Sequence, residues 1–170
     1  MTREELERTV ILFMDSFTTM TLACCSNDEP WVAAVYYARQ GFDLIFFSSS
    51  KSRHSMFFSQ NPRAAASIHG DYKGWKEIKG LQMEGKVEAL TTVMAQAKAT
   101  ATYVKRYPFV RDFIGNSVVF SRKIAEKMTR VALYVFRPTI IRYLDNSAGF
   151  GIRWKLEIQD GRAIGAPALA

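Results

Sequence analysis

The chain has 170 residues, 48% apolar and 13% aromatic, which is about one domain's length with material for a well-filled core. Lys and Arg number 23 against 16 Asp and Glu, a formal net charge of +7. This balance excludes a disordered tail, a collagen-like repeat and a disulfide-stapled mini-domain, and leaves nucleic acid, anionic lipid or a phosphorylated small molecule as claimants on the charge. The longest strongly apolar run near the start, residues 10–14, is far short of the roughly 20 residues of a membrane-spanning helix. The opening Met-Thr-Arg-Glu-Glu has no secretory apolar region, so the expectation is a cytoplasmic protein with no membrane partner.

Residues 2–17 read as a helix: Thr2 and Glu5 form a capping-box pattern, and Leu6, Val10, Phe13 and Phe17 share one face. The periodicity then shortens. Residues 21–25, 31–38 and 44–47 are β-branched or aromatic segments separated by Asn-Asp-Glu-Pro and Arg-Gln-Gly, which is strand and turn chemistry. Residues 52–60 read as a short helix closed by Asn61-Pro62, and residues 64–69 as a strand. In residues 81–90, Leu81, Met83, Val87 and Ala89 alternate with Gln82, Glu84, Lys86 and Glu88, the clearest strand of the chain. Gly85 interrupts it and marks a bulge or a close backbone approach. Residues 92–107 read as an Ala-rich helix ended by Pro108, residues 131–136 and 139–144 as strands around Pro138, and residues 152–158 as a last strand. Residues 161–170 read as a loose tail. Several short strands with two or three helices point to a mainly β fold with flanking helices, a closed or partly closed antiparallel barrel. It would form one domain over residues 1–160.

Metal chemistry finds little support. His54 and His69 have no acidic or Cys partner at ligand spacing, so no metal site is expected. Cys24 and Cys25 are adjacent, and on a strand they point to opposite faces, one buried and the other half-exposed. Gly149-Phe150-Gly151 lacks the strand-turn-helix context of a phosphate loop. The informative stretch is Phe46-Phe47-Ser48-Ser49-Ser50-Lys51-Ser52-Arg53-His54, where a strand ends and a helix begins. Unpaired N–H groups at a helix start favour an anion, Arg53 can bind a phosphate through two donors, and Ser48, Ser52 and His54 add hydrogen bonds. An ordinary polar loop with Ser52 as helix N-cap accounts for the same residues. A single-strand nucleic-acid binder would interleave basic and aromatic residues on one sheet face. Here the basic residues, among them Lys73, Lys76, Lys105, Arg122, Lys123 and Lys127, are scattered, several beside acids, and no nucleic-acid partner is expected.

From Thr21 to Leu90 the chain resembles the FMN-binding split barrels of the pyridoxamine 5′-phosphate oxidase-like family. The matching words are Thr-Leu-Ala at Thr21, Pro30-Trp31-Val32-Ala33-Ala34-Val35-Tyr36-Tyr37, Phe46-Phe47-Ser48-Ser49, Ser52-Arg53-His54, Asn61-Pro62-Arg63 and Gly80-Leu81-Gln82-Met83-Glu84-Gly85. Their joint order is specific although no single word is diagnostic. The resemblance implies an antiparallel, Greek-key split β-barrel that binds FMN between the subunits of a homodimer. The strand with Ala33, Ala34, Val35 and Tyr36 would run along the flavin ring, and the segment with Phe47, Ser48, Ser49, Ser52, Arg53 and His54 would clamp its phosphate. Gln82 would contact the flavin, Trp75 and Lys79 would border the site, and Arg153 of the second chain would complete it.

Departures from the family pattern point away from the vitamin-B6 oxidase itself. Gly149-Phe150-Gly151-Ile152-Arg153 stands where the oxidase has an Arg-Leu-His-Asp-Arg word, and Phe113-Ile114-Gly115 is all that remains of its Ser-Gln-Ile-Gly word. Tyr103 matches a substrate-phosphate Tyr, but its partner Arg is replaced by Tyr107, with Arg106 one residue off. The resemblance therefore implies the cofactor and leaves the substrate open. The readings are an FMN-dependent oxidoreductase acting on a small-molecule redox substrate, a non-catalytic flavin carrier or sensor, or a haem-binding protein with His69 or His54 as axial ligand. No catalytic residue is identifiable, and Trp154 is expected to pack rather than to react.

Overall fold

The first helix, α1 (Arg3–Ser16), begins with the expected capping box: Glu5 N–H donates to Thr2 Oγ1 at 3.2 Å and Thr2 N–H to Glu5 Oε2 at 2.8 Å. In this computed structural model, which describes residues 1–110 and 131–170, Leu6, Val10 and Met14 are fully buried, with Phe13 and Phe17 packed beside them. Each buried aliphatic side chain is worth about 1.5–3 kcal/mol against exposure. The last turn of α1 contains no basic residue. Its free carbonyls are met from elsewhere: Tyr37 Oη donates to Met14 O at 2.5 Å, and Arg106 donates to Asp15 O at 3.2 Å and to Phe17 O.

The described strands are β1 (Thr19–Ser26), β2 (Glu29–Tyr36), β3 (Ala38–Gln40), β4 (Asp43–Ser49), β5 (Arg63–His69), β6 (Lys79–Ala89), β7 (Val131–Asp145), β8 (Arg153–Gln159) and β9 (Arg162–Leu169). Helix α2 (Arg53–Gln60) links β4 to β5, and α3 (Val93–Arg106) follows β6. All the strand pairs are antiparallel, in the order β2-β1-β5-β6-β7-β4-β3, with β8 and β9 continuing from the second half of β7. Strands β2 and β4 approach without joining in a ladder, so the barrel is split there, and α2 packs against β1 and β2 at the opening. The fold is an antiparallel split β-barrel.

Period-two alternation fills the interior. Met20, Leu22 and Cys24 of β1, Ala64, Ala66 and Ile68 of β5, and Leu81 and Met83 of β6 point inward with Phe46, Phe136 and Ile141. Cys24 is buried and Cys25 exposed, as the alternation requires. A second, smaller core under α3 gathers Ile45, Ala99, Tyr103, Tyr107, Leu133 and Val135.

Three expectations need correction. The strands around Pro138 are one continuous strand, β7. Pro138 lies opposite Gly85 at a bulge where Thr139 is the extra residue, and a side chain on Gly85 would sit 2.2 Å from Arg137 O. Residues 31–38 divide into β2 and β3, because the chain crosses the barrel opening between Tyr36 and Ala38. Residues 161–170 are not a loose tail: β9 pairs with β8 through Gln159↔Arg162 and Trp154↔Leu169, and packs against α1. The Phe113-Ile114-Gly115 word and Arg122, Lys123 and Lys127 lie outside the described residues.

Candidate functional site

The hydroxyl and imidazole groups singled out in the sequence do converge. Ser48, on the inward face of β4, has its Oγ 2.6 Å from His54 Nε2 and 3.1 Å from Ser52 Oγ. Ser52 is the N-cap of α2: its Oγ accepts from Ser55 N–H at 3.3 Å and donates to Ser55 Oγ at 2.8 Å. The N–H groups of Arg53 and His54 open the helix and have no acceptor inside it. Ser49 shapes the turn, its carbonyl accepting from Ser52 N–H at 3.0 Å and its hydroxyl from Lys51 N–H at 3.2 Å. His54 is half-buried among neutral groups with its ring 5.9 Å from that of Phe58, and burial lowers its pKa below the usual imidazole range. The cluster is a set of donors at a helix start, the chemistry that receives a phosphate monoester.

Arg53 does not join it. Its Nη2 donates to Glu29 Oε2 at 2.7 Å, and its guanidinium lies 4.7 Å over the Trp31 ring and 5.3 Å from that of Phe57. Glu29 was not among the residues the sequence picked out. It begins β2 directly after a two-residue turn in which Asn27 and Asp28 both have left-handed φ, 50° and 61°. That turn places Glu29 and Trp31 on the same side of β2 as Ala33 and Val35, facing the opening.

The pleat divides the flavin-strand candidates. Ala33 and Val35 face the opening, whereas Ala34 and Tyr36 share the outer face with Thr21 and Thr19. Among the described residues β2 is an edge strand whose outward backbone groups have no ladder partner, and its Tyr36 O accepts from Tyr103 Oη at 3.4 Å. Phe47 lies on the opposite face of β4 from Ser48, its ring edge-on to Tyr103 at 4.8 Å. Tyr103 and Tyr107 are buried, and burial raises both phenol pKa values. Tyr107 Oη donates to Tyr37 O at 2.6 Å, and Arg106 is committed to the end of α1. Neither Tyr103 nor Arg106 is therefore free for a substrate phosphate.

The remaining candidates lie elsewhere on the chain. Gln82 is exposed on the outer face, in one cross-strand row with Ser67, Thr21 and Ala34, about 14 Å from Ala34 at three strand spacings. Shallow grooves of about 540 and 390 Å³ run over this face between the small side chains of Ala23, Ala65, Thr21 and Ser67. Lys79 pairs with Asp145 at 3.0 Å, and Arg153 Nη1 donates to Gly151 O at 3.2 Å. Trp154 packs against the main core. Trp75 meets Phe150 edge-on at 5.5 Å on loops joined by buried Asn146, whose Nδ2 donates to Trp75 O at 2.8 Å. One chain thus brings together Ser48, Ser52 and His54, sets Ala33 and Val35 on the opening side of β2, and leaves Gln82 on the outer face and Arg153 on β8.

Among the described residues no cluster of His, Cys, Asp and Glu could hold a metal, and no helix is long and apolar enough to cross a membrane. The chain is 26% identical over 140 residues to a UPF0306 protein from Klebsiella pneumoniae, covering 80% of this chain and 84% of that protein. In three dimensions it resembles a haem-binding protein from Mycobacterium smegmatis, with TM-score 0.65 and 19% identity, over 89% of this chain and 56% of the other. It also resembles an FAD-binding protein from Mesorhizobium loti, with TM-score 0.59 and 17% identity, over 83% of this chain and 92% of the other. At such identities these likenesses establish the split barrel alone. The sequence profile of pyridoxamine 5′-phosphate oxidase matches residues 6–144, and the chain belongs to that family.

Proposed function

We propose that this protein is an FMN-binding flavoprotein, a homodimer in which FMN lies between subunits and serves an oxidoreductase reaction on a small redox substrate. The observation that carries the reading is the pairing of two features across the barrel opening. One is the donor cluster of Ser48, Ser52 and His54 at the start of α2. The other is the edge strand β2, whose outward backbone groups beside the small Ala33 and Ala34 have no ladder partner among the described residues. The cluster fits a phosphate monoester, and a strand with small side chains and unpaired amides fits the polar edge of a planar ring. Bound FMN would supply the electron-transfer chemistry. Ser48, Ser52 and His54 would hold its phosphate, Ala33 to Tyr36 would orient its ring, and Phe47 would support that wall from behind. The outer face, with its small side chains and Gln82, is where the second copy would pack, and Arg153 of that copy would reach the shared site. Membership in the family supports the flavin over other phosphorylated ligands.

Haem is the second reading. His69 Nδ1 is 3.1 Å from Gly70 O, a bond that puts the ring proton on Nδ1 and leaves the exposed Nε2 lone pair available to iron. The likeness to a haem-binding protein adds to this reading. The visible spectrum of the purified protein separates the two. Flavin bands that release FMN on denaturation are expected; a Soret band would establish haem. A colourless protein that takes up no added FMN would remove the leading reading.

A further inference from the structure

We infer that Glu29 is a built-in competitor for the phosphate seat: its carboxylate holds the Arg53 guanidinium that a phosphorylated ligand would recruit. The inference rests on the reading of Ser48, Ser52 and His54 as that seat, with Arg53 on the neighbouring helix position. The ion pair is close, 2.7 Å from Nη2 to Oε2, and Trp31 and Phe57 flank the guanidinium at 4.7 and 5.3 Å. The backbone that carries Glu29 is held in place as well. The turn at Asn27 and Asp28 sets Glu29 on the opening side of β2. Asn61 Nδ2 donates to Cys25 O at 2.9 Å, and Ser26 Oγ donates to Gln60 Oε1 at 2.5 Å, fastening the turn end of the hairpin to the far end of α2.

The hairpin is therefore held without the ion pair. The side chains of Arg53 and Glu29 are 43% and 65% exposed, so the pair adds little to stability. Its consequence falls on the ligand. With Glu29 in place the positive charge of Arg53 is neutralised, and an arriving phosphate dianion meets a carboxylate of like sign. The phosphate must displace Glu29 or share Arg53 with it, and either route weakens binding. Neutralising Glu29 removes the competition and leaves Arg53 on its two aromatic rings.

The test is a fluorescence titration of Glu29→Gln with FMN and with riboflavin, which lacks the phosphate. Glu29→Gln is expected to bind FMN about two- to five-fold more tightly, the size of one exposed ion pair. Riboflavin affinity should not change, and the gain should shrink on an Arg53→Ala background, where Glu29→Gln relieves only the repulsion between carboxylate and phosphate. Equal or weaker FMN binding by Glu29→Gln would overturn the inference while leaving the flavoprotein reading intact. If the wild type takes up neither flavin, the flavoprotein reading falls. Inorganic phosphate, followed through the His54 ring resonances by NMR, then decides the inference by itself. Tighter phosphate binding by Glu29→Gln sustains it; equal affinity, or no response in either protein, overturns it.

Discussion

Ser48→Ala should weaken FMN binding about 2- to 30-fold and leave riboflavin binding unchanged. A hydroxyl donating to a phosphate contributes about 1.5–3 kcal/mol, because the acceptor is charged. Part of that is already committed in the free protein, where Ser48 Oγ stands 2.6 Å from His54 Nε2 and 3.1 Å from Ser52 Oγ. The hydroxyl has one proton, so turning it to a phosphate ends its donation to a neighbour, an offset of about 1 kcal/mol for a neutral bond. The difference, about 0.5–2 kcal/mol, is the stated loss in affinity. The same substitution leaves half-buried His54 without its hydroxyl partner and should lower the urea midpoint slightly. Flavin fluorescence quenching measures both affinities. Unchanged FMN affinity, or equal weakening of FMN and riboflavin, would refute the placement of the phosphate at this cluster.

Two further outcomes follow from the geometry. Gly85→Ala would put a methyl group 2.2 Å from Arg137 O and 2.9 Å from Pro138 Cα, both backbone atoms that cannot turn aside. The bulge must open, at a cost of about 2–4 kcal/mol, read as a lower urea midpoint at unchanged m; a shift below about 0.5 kcal/mol would show that the two strands yield freely. Burial lowers the pKa of His54 in the folded protein, so just below 6.5 the unfolded chain binds more protons. Stability is then complete above about pH 6.5 and falls as pH drops toward the folded-state pKa, and His54→Gln should flatten that slope. An NMR titration placing the His54 pKa above 6.5 in the ligand-free protein would contradict the assignment.

What short-range chemistry decides, the sequence reveals. The α1 capping box, the Ser52 cap and the alternation of β6 are each written within a few residues, and all three form. Gly85 is legible for the same reason, as a residue without a side chain in a strand that otherwise alternates strictly. The misread segments draw their structure from distant partners. Residues 162–169 contain Gly165 and Pro167 and have poor strand propensity, yet they form β9 because β8 offers a ladder and α1 a cover. Pro138 reads as a strand break, but it sits at a bulge facing Gly85, where the ladder shifts register.

The candidate site divides in the same way, and the division bears on its electrostatics. Ser48, Ser52 and His54 lie within seven residues of one strand-to-helix junction, so their meeting follows from local structure. The charge beside them does not. Arg53 looks like a free cation in the sequence, and its partner lies 24 residues away on a hairpin whose turn length alone decides which side chains face the opening. Strand side chains alternate with a period of two, so shifting β2 by one residue would carry Glu29 and Trp31 to the outer face and bring Pro30 inward. Arg53 would then lose its counter-ion and Trp31 and keep only Phe57, on its own helix. The charge an anion would meet at this loop is thus set by the Asn27-Asp28 turn as much as by the loop itself.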